Sequence, residues 1–385
     1  MSKKTMTPEM QAEVPAKKKK KGSGWFGRLV RRFFLVLFTV VFLAAGALVL
    51  LMNLVFNGPS IAMQERLTMS LIEASATKWV PALFIGEERV EEIRTPVDNA
   101  ELTQDVSTST QVIIQKNNAM TANSDEWANY PDGIRIERYA GDTYNAHIMI
   151  VRDPSTVYMG TSTTSYSTAI PGKRITEMME SEPNAIAAVN AGAFFDDGTS
   201  SSAVGSHPLG LVIADSKCVW SSGQQPGLQG FAGFNEDNIL VVSKKNLSKS
   251  EAADLNIRDG CCFGPVLIMD GETNMEAYNN NSGLNPRTAI GQRQDGAVIM
   301  VCIDGRQAGS VGGSFADVIN IMVEYGAVNA CNLDGGSSSV MMYRDTFGRY
   351  GNAGEVIMVN SYSLLQEQPR RMPTFFLVMP ATSED

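Results

Sequence analysis

The sequence predicts an α+β fold: one strand-rich, mixed-sheet domain with a few packed helices, preceded by a transmembrane helix and a stalk. Short apolar runs bounded by turn residues recur from about residue 139 onward, as in sheet-rich domains. A charge-free apolar run, Phe33–Met52, lies near the N-terminus. Polar, Thr- and Gln-rich sequence separates the two, so we predict one C-terminal domain on an anchored stalk.

The N-terminal segment has the pattern of a membrane anchor. Residues 1–32 form a basic tail of net charge +8, and residues 33–56 are the predicted anchor. At 1.5 Å per residue, the twenty residues of Phe33–Met52 reach about 30 Å, one bilayer core. The ten basic residues of the tail all precede this run. This charge distribution predicts a single-pass cell-membrane protein with a cytoplasmic N-terminus and an extracytoplasmic domain. A cleaved signal peptide and a buried core helix are the alternatives.

Charge and cysteine content limit the possible partners. Residues 33–385 carry a net charge of −17, which together with the +8 tail gives the overall −9. This acidic charge argues against nucleic acid as a partner of the domain. Five cysteines lack metal-ligand spacing; Cys302 and Cys331 lie in apolar runs, which indicates small buried hydrophobes, and a disulfide at Cys261 or Cys262 stays open. We predict no metal site and no cofactor, with a divalent cation left open.

Residues 57–138 are assigned to a juxtamembrane helix and a stalk. Asn57–Ser60 breaks the anchor helix, Ala62–Trp79 has helical apolar spacing, and Glu88–Asp125 is polar. The domain is predicted to occupy residues 139–381. Its expected strands are His147–Arg152, Ala185–Val189, Leu209–Ala214, Ile239–Val242, Val266–Met269, Val298–Ile303, Val328–Leu333, Val340–Tyr343 and Phe375–Val378.

One strand–helix–strand unit organises the domain. Val298–Ile303 ends at Asp304, and Val328–Leu333 ends at Asp334. Between them, Ser314 with Asp317 forms a predicted capping box for a helix that ends near Gly326. If the two strands are parallel neighbours, both aspartates lie at the ligand-prone edge of the sheet. The alternative is that each aspartate simply caps a loop.

Four polar segments carry the candidate chemistry. Asn190, Gly192 and Phe195 follow an apolar strand, and an aromatic ring there suits a sugar face, although a core role is the alternative for the aromatic pair. Arg287 and Thr288 follow Pro286; a planar guanidinium suits a phosphate, and a structural salt bridge is the alternative. The third segment is Asp304-Gly305-Arg306. The fourth comprises Asp334, Gly335, Gly336, Ser337 and Ser338, where glycines allow close backbone approach beside hydroxyls.

These four segments, in this order, resemble the phosphodiester glycosidase family. The family signatures are Asn-Gly-Gly-Phe-Phe, Arg-Thr-Ala-Ile-Gly, Asp-Gly-Arg/Gln and Asn-Leu-Asp-Gly-Gly-Gly-Ser. Here they lie at residues 190–195, 287–291, 304–306 and 332–337. Alanines flank Gly192, and Ser337 replaces the third glycine of the last signature. The resemblance covers about residues 140–380, outside the anchor and stalk.

The resemblance implies a hydrolase that cleaves a sugar-1-phosphodiester in a cell-surface glycan or exopolysaccharide. Asp334, Asp304 and Arg287 are the expected catalytic residues, with the division between nucleophile and base left open. The expected substrate-binding residues are Asn190, Gly192, Phe195, Thr288, Arg306, Gly335, Gly336, Ser337, Ser338 and His207. The alternative function is a non-catalytic glycan-binding or assembly factor. A serine hydrolase is disfavoured because no G-x-S-x-G motif surrounds Ser337.

Overall fold

The computed structural model describes residues 24–74, 77–94, 102–108, 112, 124–167, 170–195, 204–223, 228, 230–280, 282–362 and 368–380. The chain divides into two compact units, Met1–Val55 and Phe56–Asp385. The first unit holds most of one long helix. The second holds all of the strands and the remaining helices.

The helices are short except the first. They are α1 Trp25–Phe56, α2 Ile61–Ile72, α3 Val80–Ile93, α4 Ser124–Trp127, α5 Ile175–Ser181, α6 Lys249–Asp254, α7 Met275–Asn279 and α8 Phe315–Glu324. By length and composition α1 could cross a membrane, and none of its most apolar window is buried within the described part of the chain. That exposure disfavours the buried core-helix alternative and leaves an anchor or a signal.

The strands form three sheets. In chain order they are β1 Ile134–Ala140, β2 Asn145–Val151, β3 Val157–Thr161, β4 Ala187–Asn190, β5 Leu211–Ala214, β6 Lys217–Ser221, β7 Phe231–Asn235, β8 Leu240–Ser243, β9 Ile257–Cys261, β10 Val266–Met269, β11 Glu272–Thr273, β12 Arg287–Arg293, β13 Val298–Ile303, β14 Ala327–Leu333, β15 Met341–Asp345, β16 Glu355–Met358 and β17 Thr374–Val378. The sheet orders are β1-β2-β13-β12-β14-β10-β11, β16-β15-β4-β17-β3 and β6-β5-β9-β7-β8.

The seven-stranded sheet is apolar on both faces. Along β13 every residue is buried, and alternate side chains enter two different core clusters. Val298, Met300 and Cys302 face the core shared with strands of the other two sheets. Ile299, Val301 and Ile303 face the opposite core, which includes Val318 of α8. The central strands are therefore fixed on both sides, and the loops at their ends have rigid support.

The α+β class is confirmed, with one correction to the predicted pairing. Every pairing recorded between named strands in the described residues is antiparallel, so the sheets are not mixed. β13 and β14 run in the same direction but are not neighbours, because β12 lies between them and pairs antiparallel with both. The expected parallel pair is therefore wrong, although both strands still end at the same edge.

Other local predictions can be compared directly. Each of the nine expected strands overlaps an observed one, and α8 begins at the Ser314–Asp317 capping box and ends before Gly326. Strands such as β6 and β9 are not predicted from the sequence, because their polar or charged residues interrupt the apolar pattern. The expected helix over Ala62–Trp79 ends earlier, at Ile72.

The stalk expected over Glu88–Asp125 is described only in part. Its residues 102–108 lie against the domain: Leu102 is buried in the main core, and Ser107 N donates to Val242 O at 2.9 Å. Thr108 N donates to the Asp270 carboxylate at 2.7 Å. The domain boundaries themselves stay predictions.

Candidate functional site

The structure brings the two aspartates and the arginine to one edge of the seven-stranded sheet. Asp304 follows the last residue of β13, and Asp334 follows the last residue of β14. Because β12 runs antiparallel to both, its first residue lies at that same edge: Arg287 pairs with Ile303, and Thr288 pairs with Leu333. Strand register thus brings the backbones of these three residues to one edge of the sheet.

Pro286 is the point at which the two Asp-Gly loops meet. Gly336 N donates to Pro286 O at 2.8 Å, and Gly336 has φ +62°, a conformation that L side chains rarely adopt. On the other side, a Cβ on Gly305 would lie 2.7 Å from Pro286 N. The glycines therefore let both loops pack against the segment that carries Arg287.

Arg287 is almost fully buried, and its guanidinium is held in place by backbone carbonyls. Nε donates to Gly313 O at 3.2 Å, and Nη2 donates to Ser282 O at 2.6 Å and Gly283 O at 3.3 Å. The cation also lies 4.4 Å from the ring centre of Phe315. The side chain is rigid, and Nη1 is the one nitrogen that these carbonyls leave for another partner.

Glu73, which follows α2, takes that nitrogen. Its Oε2 lies 3.3 Å from Arg287 Nη1, and 30% of the Glu73 side chain is exposed. Arg306 Nη2 donates to Glu73 O at 3.4 Å and to Asn285 Oδ1 at 3.3 Å. Burial raises the pKa of the Glu73 carboxyl above its usual 4.5, against the opposing effect of Arg287 and Arg306. Burial likewise lowers the pKa of Arg306, which Glu73 opposes.

Asp304 is buried and both of its carboxylate oxygens have partners. Oδ1 accepts from Ser361 N at 2.9 Å, and Oδ2 lies 3.2 Å from His147 Nε2. The Asp304 side chain is only 3% exposed. Asp304 therefore fixes the backbone at Ser361, the residue before Tyr362.

Asp334 is half-buried and lies beside Tyr362. Burial raises the pKa of the Tyr362 hydroxyl and the Asp334 carboxylate adds to this, whereas Arg370 and Arg306 oppose it. Tyr362 Oη donates to Ser337 O at 2.5 Å, and Arg370 Nη1 donates to Ser337 Oγ at 3.5 Å. The loop after Asp334 is thus held at Ser337 by the Tyr362 hydroxyl and the Arg370 guanidinium.

Three predicted substrate-binding residues lie inside the domain. Asn190 and Thr288 have no exposed surface; Thr288 Oγ1 donates to Asn190 Oδ1 at 2.8 Å, and Asn190 Nδ2 donates to Asp334 O at 2.5 Å. Gly192 is buried, and a Cβ there would lie 2.8 Å from Cys261 Cβ. Asn190, with Thr288 bonded to it, therefore supports the Asp334 backbone, and Gly192 packs closely against Cys261.

Phe195 and His207 lie together beyond this edge. Their rings stack at 5.1 Å with an interplanar angle of 10°, and Phe195 is 46% exposed. Phe194, by contrast, is buried, and Arg370 lies 4.6 Å from its ring centre. The core role weighed for the aromatic pair therefore holds for Phe194 alone.

Several buried polar atoms at this edge have no partner among the described residues. They are Ser338 Oγ, Ser339 Oγ, Asn285 Nδ2 and His147 Nδ1. Buried groups of this kind are costly, which is typical of a site that a ligand or water completes. In the described part of the chain no three His, Cys, Asp or Glu residues group as metal ligands. All five cysteines are free, and Cys302 and Cys331 are buried as predicted.

Glu73, Tyr362 and Arg370 are not predicted as site residues from the sequence, and His147 is predicted only as the first residue of a strand. None belongs to the four motifs, and Glu73 precedes Arg287 by more than two hundred residues. Two weak signals existed. Glu73 follows a helix of apolar spacing, and Arg370 follows a polar segment close to the final strand.

A sheet edge that carries two aspartates and an arginine is typical of a glycosidase site built on carboxylates. Comparison with known proteins identifies the family. A model of the phosphodiester glycosidase family matches residues 183–379, just over half of the chain. The chain belongs to the phosphodiester glycosidase family. The matched range contains all four motifs.

Two curated relatives are similar over part of the chain. The SPbeta prophage-derived uncharacterized protein YomE of Bacillus subtilis is 26% identical over 192 residues, 49% of this chain and 27% of its own length. Human N-acetylglucosamine-1-phosphodiester alpha-N-acetylglucosaminidase is 27% identical over 158 residues, 37% of this chain and 30% of its own length. The chain thus spans less than a third of each relative.

A solved structure also overlaps with the domain. It is the zebrafish N-acetylglucosamine-1-phosphodiester alpha-N-acetylglucosaminidase catalytic domain, described as auto-inhibited by its pro-peptide. It is 22% identical, with a TM-score of 0.47, covering 64% of this chain and 82% of the zebrafish chain.

Proposed function

We propose that this protein is a membrane-anchored, extracytoplasmic hydrolase that cleaves a sugar-1-phosphodiester in a cell-surface glycan or exopolysaccharide. Membership of the phosphodiester glycosidase family supports the reaction class. The single observation that carries the proposal is the shared edge at which Asp304, Arg287 and Asp334 follow or begin three adjacent strands. The helix α1, followed by the whole sheet-bearing unit, supports the anchored arrangement.

Asp334 is the carboxylate that acts on the sugar. Asp334 is half-buried and so can be reached from solvent, whereas the Asp304 side chain is only 3% exposed. Asp334 either attacks the anomeric carbon or deprotonates the water that does so. The bond between that carbon and the phosphate oxygen breaks, and its electron pair leaves with the phosphomonoester. Water supplies the new hydroxyl of the sugar.

Arginine stabilises the leaving phosphate. A phosphate leaves as an anion, so the main requirement is a fixed positive charge at the position where negative charge develops. Arg287 meets this requirement because three backbone carbonyls hold its guanidinium, and Arg306 adds a second cation that contacts the Glu73 backbone carbonyl. The Gly335–Ser338 turn offers the Ser337 hydroxyl, with Arg370 beside it, to the remaining phosphate or sugar oxygens.

The remaining predicted residues act as positioning residues. Asp304 orients Ser361 and hence Tyr362, Asn190 with Thr288 holds the Asp334 backbone, and Gly192 packs against Cys261. Their substitution is expected to change the geometry of the edge without removing a reacting group.

The described structure is a closed form of this site. The Glu73 carboxylate occupies Arg287 Nη1, the nitrogen best placed to meet a substrate phosphate. Nη1 carries two N–H groups, so a substrate phosphate can take both only if Glu73 moves away, and otherwise meets repulsion from the Glu73 carboxylate. Glu73 is the C-cap residue of α2, so a movement of the end of α2 would change access to the arginine.

The test is turnover by the full-length chain in detergent. An α-N-acetylglucosamine 1-phosphodiester is the first substrate to assay, and released sugar and phosphomonoester are quantified by mass spectrometry. We expect release by the wild type and none by Asp334→Asn or Arg287→Ala, with circular dichroism unchanged for Asp334→Asn. Binding without turnover across a panel of glycosyl phosphodiesters would instead favour a glycan-binding or assembly role.

A further inference from the structure

The helix pair α2 and α3 holds the residue at which α1 ends. Phe56 is the last residue of α1 and the first of the compact unit that contains the sheets, and it is fully buried. Its ring stacks on that of Phe84 in α3, with the ring centres 5.1 Å apart and an interplanar angle of 14°. Its carbonyl oxygen accepts from Gln64 Nε2 of α2 at 2.5 Å. The end of the predicted membrane helix is therefore packed directly into the helix pair.

The same helix pair reaches the reacting edge within the length of α2. Leu284 N donates to Ser70 Oγ at 2.8 Å, and the Glu73 carboxylate pairs with Arg287. Glu73 follows Gln64 by nine residues, which is about 14 Å of helix. With the side chains included, Arg287 lies on the order of 25 Å from the end of α1. The segment predicted as a juxtamembrane helix and stalk thus begins by binding the reacting edge close to the anchor.

Exposed apolar side chains border these contacts. Leu83, which directly precedes Phe84, is 71% exposed, and Trp79, four residues earlier, is 59% exposed. Residues four apart lie on the same side of a helix, so the two side chains form one apolar patch at the start of α3. Ile61 and Met63 at the start of α2 are exposed as well. Tryptophan favours the boundary between a bilayer and water.

The bilayer is the apolar surface that this patch can reach. The predicted span ends at Met52, and the four helical residues that follow, up to Phe56, rise only about 6 Å. The second half of α3, beyond the break at Gly86, is acidic, because residues 87–94 hold four glutamates and two arginines. Anionic headgroups repel such a segment, so contact with lipid depends on the apolar first half of α3.

We propose that Trp79 and Leu83 insert into the bilayer interface and hold the reacting edge at the membrane surface, where it cleaves a glycosyl phosphodiester whose alcohol is a lipid of that membrane. The inference rests on the proposed function, since it assumes anchoring by α1 and cleavage at Asp334. It adds the substrate class, because the phosphate of a lipid is fixed at the level of the headgroups. The bond between the anomeric carbon and the phosphate oxygen breaks, and water supplies the new hydroxyl of the released sugar. The lipid phosphomonoester stays in the bilayer.

The first test compares two substrates of the full-length chain in phosphatidylcholine nanodiscs. Both are α-N-acetylglucosamine 1-phosphodiesters; the esterified alcohol is methanol in one and phytanol, incorporated in the nanodisc, in the other. Leu83→Glu is expected to lower kcat/KM about tenfold for the phytanyl ester and to leave the methyl ester unchanged. Leu83→Phe keeps an apolar side chain and is expected to behave like the wild type. Val323→Glu is the matched control, because Val323 is 54% exposed near the end of α8, whose first residue packs on Arg287.

A second measurement detects the bilayer contact without turnover. Leu83→Cys and Val323→Cys are each made in a Cys218→Ser background, in which the four remaining cysteines are buried. Each protein is labelled with an environment-sensitive fluorophore and placed in nanodiscs that contain nitroxide-bearing lipids. Quenching is expected at position 83 and not at position 323.

The two measurements separate failure of this inference from failure of the proposed reaction. Absence of quenching at position 83 would overturn the bilayer contact. Equal effects of Leu83→Glu on both esters, or no effect on either, would overturn the lipid substrate. Quenching at position 83 with hydrolysis of neither ester would overturn the proposed reaction, and the lipid substrate with it, but would support the bilayer contact.

Discussion

Replacing Glu73 with alanine removes the acid that pairs with Arg287 and leaves an opening next to Nη1. The three other hydrogen bonds of Arg287 go to backbone carbonyls of Ser282, Gly283 and Gly313, so the guanidinium stays in place. A substrate phosphate then meets Nη1 without displacing an internal carboxylate. We therefore expect Glu73→Ala to bind substrate more tightly than the wild type.

The size of the effect follows from the exposure of the pair. Exposed ion pairs contribute up to about 1 kcal/mol, and hydrogen bonds to charged groups inside proteins contribute about 1.5–3 kcal/mol. Arg287 is 5% exposed and Glu73 is 30% exposed, which places this pair between the two classes. A competition of about 1–2 kcal/mol corresponds to a KM lower by roughly 5- to 30-fold.

The assay is steady-state hydrolysis of a soluble glycosyl phosphodiester by full-length protein in detergent. Glu91→Ala is the matched control, because Glu91 lies in the same helix pair, is 72% exposed and pairs only with nearby Arg94 among the recorded ion pairs of the described chain. A KM for Glu73→Ala equal to that of Glu91→Ala and of the wild type would refute the competition. A rise in KM would show that Glu73 assists binding instead.

Three further predictions follow from the same contacts. Asp334→Asn should abolish turnover at an unchanged melting temperature, whereas Asp304→Asn should lower both, because it weakens charged hydrogen bonds inside the protein; calorimetry beside the assay separates them. Gly336→Ala should cost about 1–2 kcal/mol of stability in denaturant titration, because φ is +62°, and Gly309→Ala, in open space, should cost far less. When Glu73 is paired with Arg287, burial raises the pKa of its carboxyl, so it holds a proton more tightly than a Glu73 that has moved into solvent. Binding of an anion that displaces Glu73 therefore releases a proton and should strengthen as pH rises from 4.5 through the raised pKa. The ratio of the wild-type KM to that of Glu73→Ala, measured across pH, should fall over this window and would stay flat if Glu73 does not move.

Local sequence was enough to place the ends of the central strands. Val298–Ile303 is a continuous apolar run, and Val328–Leu333 is a mainly apolar run with two asparagines. Each stops at an aspartate followed by glycine, so strand and turn signals coincide. The capping box at Ser314 likewise set the start of α8. These features depend only on neighbours in the chain, and the structure agrees with them.

Strand order and the environment of Arg287 could not be obtained in this way. The insertion of β12 between β13 and β14 depends on which edges pair after the whole sheet forms. Of the two roles considered for Arg287, the structure shows the salt bridge, whereas the phosphate contact stays a prediction. The partner, Glu73, lies outside every motif. Tyr362 and Arg370 contact Ser337, in the loop after Asp334, through loop packing, which leaves no periodic signal in the sequence.

The most direct measurement of the central claim is the position of solvent oxygen in the products. Full-length protein is incubated with an α-N-acetylglucosamine 1-phosphodiester in ¹⁸O-water, and both products are weighed by mass spectrometry. Cleavage at the anomeric carbon, as proposed for Asp334 with Arg287 on the leaving phosphate, places ¹⁸O in the sugar and none in the phosphomonoester. Label in the phosphate, with sugar 1-phosphate as a product, would contradict a glycosidase and indicate attack at phosphorus.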